Sequence, residues 1–236
     1  MSRVAGGLLI AAVGVVGCRS AAPPPVIPLD QLEEAVAALA GPPATGVASL
    51  YRLRVPSTSG LRASITTSVD GGRMSISDSF GRALLVAAWG GDGAGELYDL
   101  DSGCRVPGAD LSAMIGAGAL PVEQAVWLLS GRLPAAAGDR IEVRDHGLEI
   151  TGRDWSAHVV VARDPWRVLE VRADTRDSTA WSIELGNHTG SIPKSVFVER
   201  ADGEWARLEL VRRETIGGAA LPALPDLPVC SRGGGG

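Results

Sequence analysis

The sequence predicts a mainly β domain built on one large antiparallel sheet, curved or nearly closed, and two observations carry that expectation. In LRASITTSV, Leu61, Ala63, Ile65, Thr67 and Val69 share one face while Arg62, Ser64, Thr66 and Ser68 share the other, the period-two pattern of a half-buried strand. Comparable short runs then follow along the chain: RMSIS, RALLVAAW, ELYDL, RIEVRD, GLEIT, WSAHVVVA, WRVLEV, AWSIEL, KSVFVE and WARLELVRR, separated by Gly, Asp, Asn and Pro. Ten or so such strands left flat would expose long edges, so the sheet is expected to curl.

The first element of the chain is not part of that sheet. An apolar stretch from Val4 to Val16 follows a single early charge, Arg3, and ends in small residues. It is too short to span a bilayer, which needs ~20 apolar residues, and has the three parts of a secretory signal. Its close, Val15-Val16-Gly17-Cys18, resembles the bacterial lipobox, in which the cysteine becomes the lipidated first residue of the mature chain. The alternative is an ordinary secretory peptide whose cleavage site lies near a cysteine. On the lipobox reading residues 1–17 are a signal peptide, Cys18 is the site of lipid attachment, and several acyl chains hold the protein on a membrane it does not cross. Residues 18–28 form an Ala/Pro-rich tether that favours extended polyproline conformation. One domain is expected over 29–224, and residues 225–236, ending in Arg-Gly-Gly-Gly-Gly, read as a flexible tail.

The domain opens on a helix. LDQLEEAVAALAGPP sets Leu29, Leu32, Val36 and Leu39 on one stripe, with Asp30 placed to cap, Glu33 three residues on, and Gly41-Pro42 as a stop. Asp70-Gly71-Gly72 offers a hairpin turn between the first two strands of the sheet. Between Ala109 and Leu133 the strand rhythm lapses. ADLSAMIGAGA and PVEQAVWLLSG tolerate helix, Asp110 and Pro121 mark starts, and Val122, Ala125, Val126 and Leu129 fall on one helical face. Helices inserted there must pack on something, and the open mouth or concave face of the sheet is the expected place.

Charge and cysteine content narrow the function classes. A net charge of −5 with scattered arginines gives no basic stripe for nucleic acid. Beyond Cys18 there are two cysteines, Cys104 and Cys230, in a compartment that permits disulfides. They either pair, stapling the tail to the middle of the domain, or remain two unpaired thiols.

Motifs for chemistry are wanting. His146, His158 and His188 stand in separate strands or turns with no partner at metal-ligand spacing. There is no G-x-S-x-G elbow and no cysteine near a histidine. GGDGAG at 90–95 lacks the order of a phosphate-binding loop. Asp99-Leu-Asp101-Ser-Gly103 has two calcium-like positions and no third, so a β-turn explains it better. Asn187-His-Thr189 reads as a turn, and Glu170 and Asp174 have no partner carboxylate indicated. No catalytic residue, metal or cofactor is expected.

Three segments together resemble the LolA/LolB lipoprotein-sorting family, and LolB more closely because that member is itself a lipoprotein. They are RMSISDSFGRALLVAAWGGDGAGELYDLDSG, LPVEQAVWLLSGRLP with its Pro-Val, Leu-x-x-Trp and Gly-x-Pro pattern, and SIPKSVFVERADGEWARLELVRRETI. The resemblance covers about 74 to 216, while 135–190 is longer and more charged than the family pattern. It implies a half-open antiparallel β-barrel of about eleven strands with an N-terminal helix, helices covering the mouth, and an interior that receives acyl chains. It also implies an apolar residue on a loop protruding between two strands. Ser79-Phe80-Gly81 occupies that place, so Phe80 is the residue expected to help insertion into the bilayer, unless it is a core aromatic at a strand end.

With aromatic residues only 4% of the chain, the cavity wall would be mostly aliphatic. Leu53, Ile65, Met74, Leu85, Trp127, Leu128 and Trp181 are its candidates, each of which could equally be plain core. The function implied is an outer-membrane-anchored lipoprotein, on the periplasmic face and monomeric. It would accept lipoprotein acyl chains or another lipid from a LolA-like periplasmic carrier and place them in the membrane. Arg19 after Cys18, with no Asp there, fits outer-membrane sorting as known in some bacteria. The alternatives are an interaction or scaffold lipoprotein that keeps the barrel and binds a protein partner, and an envelope enzyme without a recognisable motif.

Overall fold

The computed structural model describes residues 27–43, 45–68, 71–90, 95–109, 111, 120–144, 147–175, 180–216, 221 and 224–230. The leader, Cys18 and the tether up to residue 26 lie outside them. So do Asp70 of the expected turn, residues 91–94 of the glycine loop, His146, and all of ADLSAMIGAGA except Ala109 and the buried Leu111.

Helix α1 (Leu29–Leu39) leads into β1 (Gly46–Val55), β2 (Thr58–Ser68), β3 (Gly71–Ser77), β4 (Ala83–Gly90), β5 (Gly95–Asp99) and β6 (Cys104–Pro107). Helix α2 (Val122–Leu129) separates these from β7 (Arg140–Arg144), β8 (Gly147–Thr151), β9 (Trp155–Ala162), β10 (Arg167–Thr175), β11 (Ala180–Gly186), β12 (Ser195–Arg200) and β13 (Trp205–Ile216). Among the described residues the thirteen strands form one sheet, ordered β6-β5-β4-β3-β2-β1-β13-β12-β11-β10-β9-β8-β7, with β6 and β7 as its unclosed edges. The fold is mainly β and wholly antiparallel in its ladders.

Thirteen strands replace the eleven or so expected, and the two extra are β1 and β6. In GVASLYRLRV the buried positions include Ser49 and Tyr51 while Ala48 and Leu50 are half-exposed on the other face, which blurs the alternation. CRVP has only four residues and ends in proline, as edge strands can. β1 is central to the architecture. Every other ladder joins consecutive strands, but β1 pairs with β13 from Gly46↔Ile216 to Arg54↔Arg207 and unites two meanders.

The antiparallel registers also sort the turns. Residues 56–57, 78–82, 100–103 and 201–204 connect β1–β2, β3–β4, β5–β6 and β12–β13 at one end of the sheet. The helices belong to the rest. Pro28, not Asp30, takes the N-cap of α1, and Asp30 lies in the first turn, where a carboxylate suits the positive end of the helix dipole. Leu32, Ala35 and Leu39 of α1 are buried, and its end is held where Leu133 N donates to Leu39 O (3.0 Å) and Arg132 Nη1 to Ala38 O (3.0 Å).

The β6 edge is covered by the chain's own C-terminal segment. Arg105 N donates to Pro228 O (2.8 Å), Cys230 N donates to Arg105 O (2.8 Å), and Arg105 Nε reaches Leu227 O (3.1 Å). Cys104 and Cys230 form a disulfide across 126 residues. The stretch expected to be a free tail from 225 is therefore tied down as far as Cys230, which leaves fewer unpaired backbone groups at that edge. Closing so long a loop should matter to stability. Replacing Cys230→Ser is expected to lower unfolding free energy by ~2–5 kcal/mol, read from urea midpoints. An unchanged midpoint, equal to that of the unreduced protein, would show that the clasp contributes nothing.

Candidate functional site

Successive residues of a strand face opposite sides, so one set of side chains from β1, β2, β3, β11, β12 and β13 shares the concave side of the sheet. These set the walls of a cavity of about 550 Å³, within the ~300–1,000 Å³ common for small-molecule sites. Leu53, Ala63, Ile65, Met74 and Ile76 form one wall, and Trp181, Ile183, Val196, Val198 and Leu208 the other. Ala125, Val126, Leu128 and Leu129 of α2 lie across it. The sheet must curl for β2–β3 and β11–β12 to line the same hollow, with the β1–β13 seam between them.

Among the described residues of this lining the polar side chains are Ser57, Arg200 and Glu204, at the end marked by the β1–β2 and β12–β13 turns. Arg200 pairs with Asp202 and with Glu204 (3.1 Å), and its guanidinium carbon lies 5.8 Å from the centre of the Trp181 ring. The mouth is thus charged and the body hydrocarbon. Acyl chains ask for such a lining, because nothing in the body competes for a hydrogen bond.

Helix α2 is fixed at both ends. Arg213 Nη1 donates to Leu129 O (3.0 Å), and Gln124 Nε2 donates to Asp139 Oδ2 (2.9 Å), which also accepts from Ala136 N (2.7 Å). Beyond the helix, Gly131 has φ +71°, and a Cβ there would stand 2.3 Å from Ser191 O. Only glycine lets the chain leave α2 so close to the β11–β12 connection.

Of the seven residues expected at the cavity, Leu53, Ile65, Met74, Leu128 and Trp181 line it. Leu85 does not. It pairs with Ile76 but stands one strand further out, half-buried. Nor does Trp127, which adjoins Leu128 on a helix and so turns ~100° away, into a cleft of about 240 Å³ with Pro42, Pro43, Thr67 and Trp89. Ala63, Ile76, Ile183, Val196 and Val198 also line the cavity, and stepping by two from Ile65, Met74 and Trp181 reaches the first three of these.

Phe80 is 95% exposed, which removes the reading of it as a core aromatic. A local network sets it there. Asp78 Oδ1 accepts from Phe80 N (2.9 Å) and Arg82 N (3.0 Å), Asp78 Oδ2 accepts from Arg82 Nε (3.3 Å), and Asp78 N donates to Arg82 O (3.0 Å). Gly81 supplies the left-handed residue of the turn at φ +85°. This turn shares the end of the sheet with the cavity mouth, and a Cβ on Gly60 beside the β1–β2 turn would lie 3.3 Å from Ser79 Cβ.

The remaining polar candidates make local hydrogen bonds. His158 Nδ1 lies 2.8 Å from Glu149 Oε1, and His188 Nε2 lies 2.9 Å from Val168 O, with burial lowering the His188 pKa. Asp99 accepts from the Asp101 and Ser102 amides (both 3.0 Å), the turn expected of that segment. Asn187 adopts φ +53° in a turn and donates to Ser195 Oγ (3.3 Å). Among the described residues no three His, Cys, Asp or Glu side chains are grouped to hold a metal ion.

The Asp78 turn carries a pH signature. Loss of hydration would by itself raise its carboxyl, but the Arg82 and Phe80 amides and the Arg82 guanidinium outweigh this and hold the pKa below its ordinary value. A depressed folded pKa means the bonds are intact above the ordinary carboxylate range and are lost as pH falls through the lower value. The Phe80 and Arg82 amide resonances should therefore shift together in acid, with a midpoint below that of a free aspartate, and Asp78→Ala should abolish the transition. A midpoint at the ordinary value would mean that the carboxylate does not organise the turn. Compared with known protein families and with curated proteins, the chain matches none.

Proposed function

We propose that the protein is a lipid-anchored acyl-chain carrier similar in role to LolB, with Cys18 lipidated and the domain held at the periplasmic face of the outer membrane. On this reading the unclosed sheet is a half-open barrel, α2 is its cover, and the cargo is the acyl portion of a lipoprotein handed over by a LolA-like soluble carrier. The observation that carries the proposal is the cavity of about 550 Å³ whose described lining has a body of aliphatic and indole groups, with its polar side chains, Ser57, Arg200 and Glu204, gathered at one end. No bond is made or broken and no cofactor is asked for. The step is a partition among donor, cavity and bilayer, driven by burial of ~0.8 kcal/mol per CH₂ in each apolar site.

Two further features support the reading. The polar end of the cavity, at Ser57, Arg200 and Glu204, lies at the end of the sheet that presents Phe80, so hydrocarbon leaving by that end would emerge beside an exposed aromatic side chain suited to a bilayer. The hollow lies under α2, which is held by hydrogen bonds to Arg213 of β13 and to Asp139 ahead of β7, so that displacing it would cost those bonds and no strand ladder.

Uptake is the first test. Protein carrying Cys18→Ser should bind a fluorescent fatty acyl probe with one site, and Val198→Trp, which places an indole in the cavity opposite Ile183 and Ala206, should weaken uptake by at least about tenfold, the equivalent of ~1.4 kcal/mol. No uptake by either protein would end the carrier reading and favour a scaffold that keeps the fold. Delivery is the second. Phe80→Ala should leave probe affinity within about twofold, a difference of only a few tenths of a kcal/mol, while slowing transfer of the probe into vesicles. Equal transfer rates would remove Phe80 from the mechanism.

A further inference from the structure

The convex side of the sheet carries a group of arginines that folding does not explain. Arg52 and Arg54 of β1, Arg62 of β2 and Arg207 of β13 all face away from the cavity, alternating with the buried Tyr51, Leu53, Ala63 and Leu208. Arg52 stands directly opposite Arg62, and Arg54 directly opposite Arg207. Like charges in direct cross-strand register destabilise a sheet. Here there are two such pairs side by side.

One carboxylate serves three of the four. Glu209 lies 3.5 Å from Arg52, 3.7 Å from Arg54 and 3.7 Å from Arg207, leaving the group with a net charge of +3. Arg62 has no ion-pair partner among the described residues. Glu199 is on the same face of β12, opposite Trp205. About half of each of the Arg52, Arg54 and Arg207 side chains is in solvent, so the ion pairs to Glu209 contribute little. In a chain with a net charge of −5, this is a local reversal of sign.

Its position gives it a partner. Arg62 pairs with Ser77, the last residue before the Asp78 turn, so the arginines flank the exposed Phe80 at the mouth end of the sheet. We propose that this patch docks the mouth end on an anionic phospholipid surface, the guanidiniums meeting lipid phosphates while Phe80 enters the acyl region. The chemistry is charge complementarity combined with one apolar wedge, and guanidinium is the side chain suited to phosphate oxygens. The inference goes beyond cargo binding, since it asks nothing of the cavity.

Cosedimentation of the full chain with vesicles tests it. Vesicles of phosphatidylcholine alone set the baseline for any anchor, leader and Phe80, and vesicles mixed with phosphatidylglycerol report the added term. Each arginine close to an anionic surface should contribute roughly a fivefold factor, so the anionic vesicles should be preferred by on the order of tenfold or more at low salt and hardly at all at high salt. Replacing Arg52, Arg54, Arg62 and Arg207 with serine should remove the preference and leave phosphatidylcholine binding unchanged. Glu209→Gln, which frees three guanidiniums, should increase the preference and keeps the test decisive if the fourfold variant does not fold. Equal binding of the natural chain to both vesicles, or no response to Glu209→Gln, would overturn the proposal. A chain that takes up the acyl probe but shows no anionic preference loses only this surface, whereas one with the preference and no uptake loses only the carrier role.

Discussion

The ladder between β1 and β13 is the constraint on which the rest depends. Strands β1 to β6 and β7 to β13 are each simple meanders, and either could pair within itself through short turns. Only the β1–β13 register makes them one sheet, and the cavity straddles that seam, with Leu53 and Leu208 paired at its centre. Bringing Gly46 to Ile216 closes a loop of nearly the whole domain. The entropic cost of closure grows slowly with loop length, so one long ladder of nine paired positions suffices to hold it. Slippage there by one residue would exchange the cavity wall for the arginine face.

Because strands alternate, the same segments that build the hollow also build its outside. In β1, Tyr51 and Leu53 point inward while Arg52 and Arg54 point out. In β13, Leu208 points inward and Arg207 and Glu209 out. The two proposed activities, holding hydrocarbon and meeting a membrane, therefore arise from one period-two pattern read on opposite faces. The turns at the mouth end connect them. Their rigidity comes from local hydrogen bonding, as at Asp78, and their position from the shared register. The other end is occupied differently, with Gly131 against the β11–β12 connection.

Much of this was legible in the chain because period-two alternation is a strong signal when one face is buried. The runs around Ile65, Val159 and Val198 show it plainly, and each is a strand. The same signal failed at β1, where Ser49 and Tyr51 take inward positions and Ala48 and Leu50 do not, and at β6, which is too short to show a period. That one of these two strands, β1, forms half of the seam shows how little local pattern says about pairing partners. Of the five cavity residues that apolar character picks out, Ile65, Met74 and Trp181 lie on strands the alternation shows, while Leu53 is on β1 and Leu128 on α2. Leu85 and Trp127 do not line the cavity, because lining a hollow depends on distance from the seam and on helical angle. The disulfide could be named as an alternative, but only tertiary pairing of Arg105 with Pro228 and Cys230 places its two cysteines together.

Whether hydrocarbon occupies the space between the β1–β13 seam and α2 is the central question. The most direct measurement is methyl NMR of the protein with a nitroxide-bearing acyl chain, read as line broadening residue by residue. The account predicts broadening of Ile65, Leu128 and Ile183, which line the cavity, with Val211, 59% exposed, unaffected. Broadening at Val211 with sharp signals from Ile65 and Ile183 would place the chain outside the sheet and contradict it.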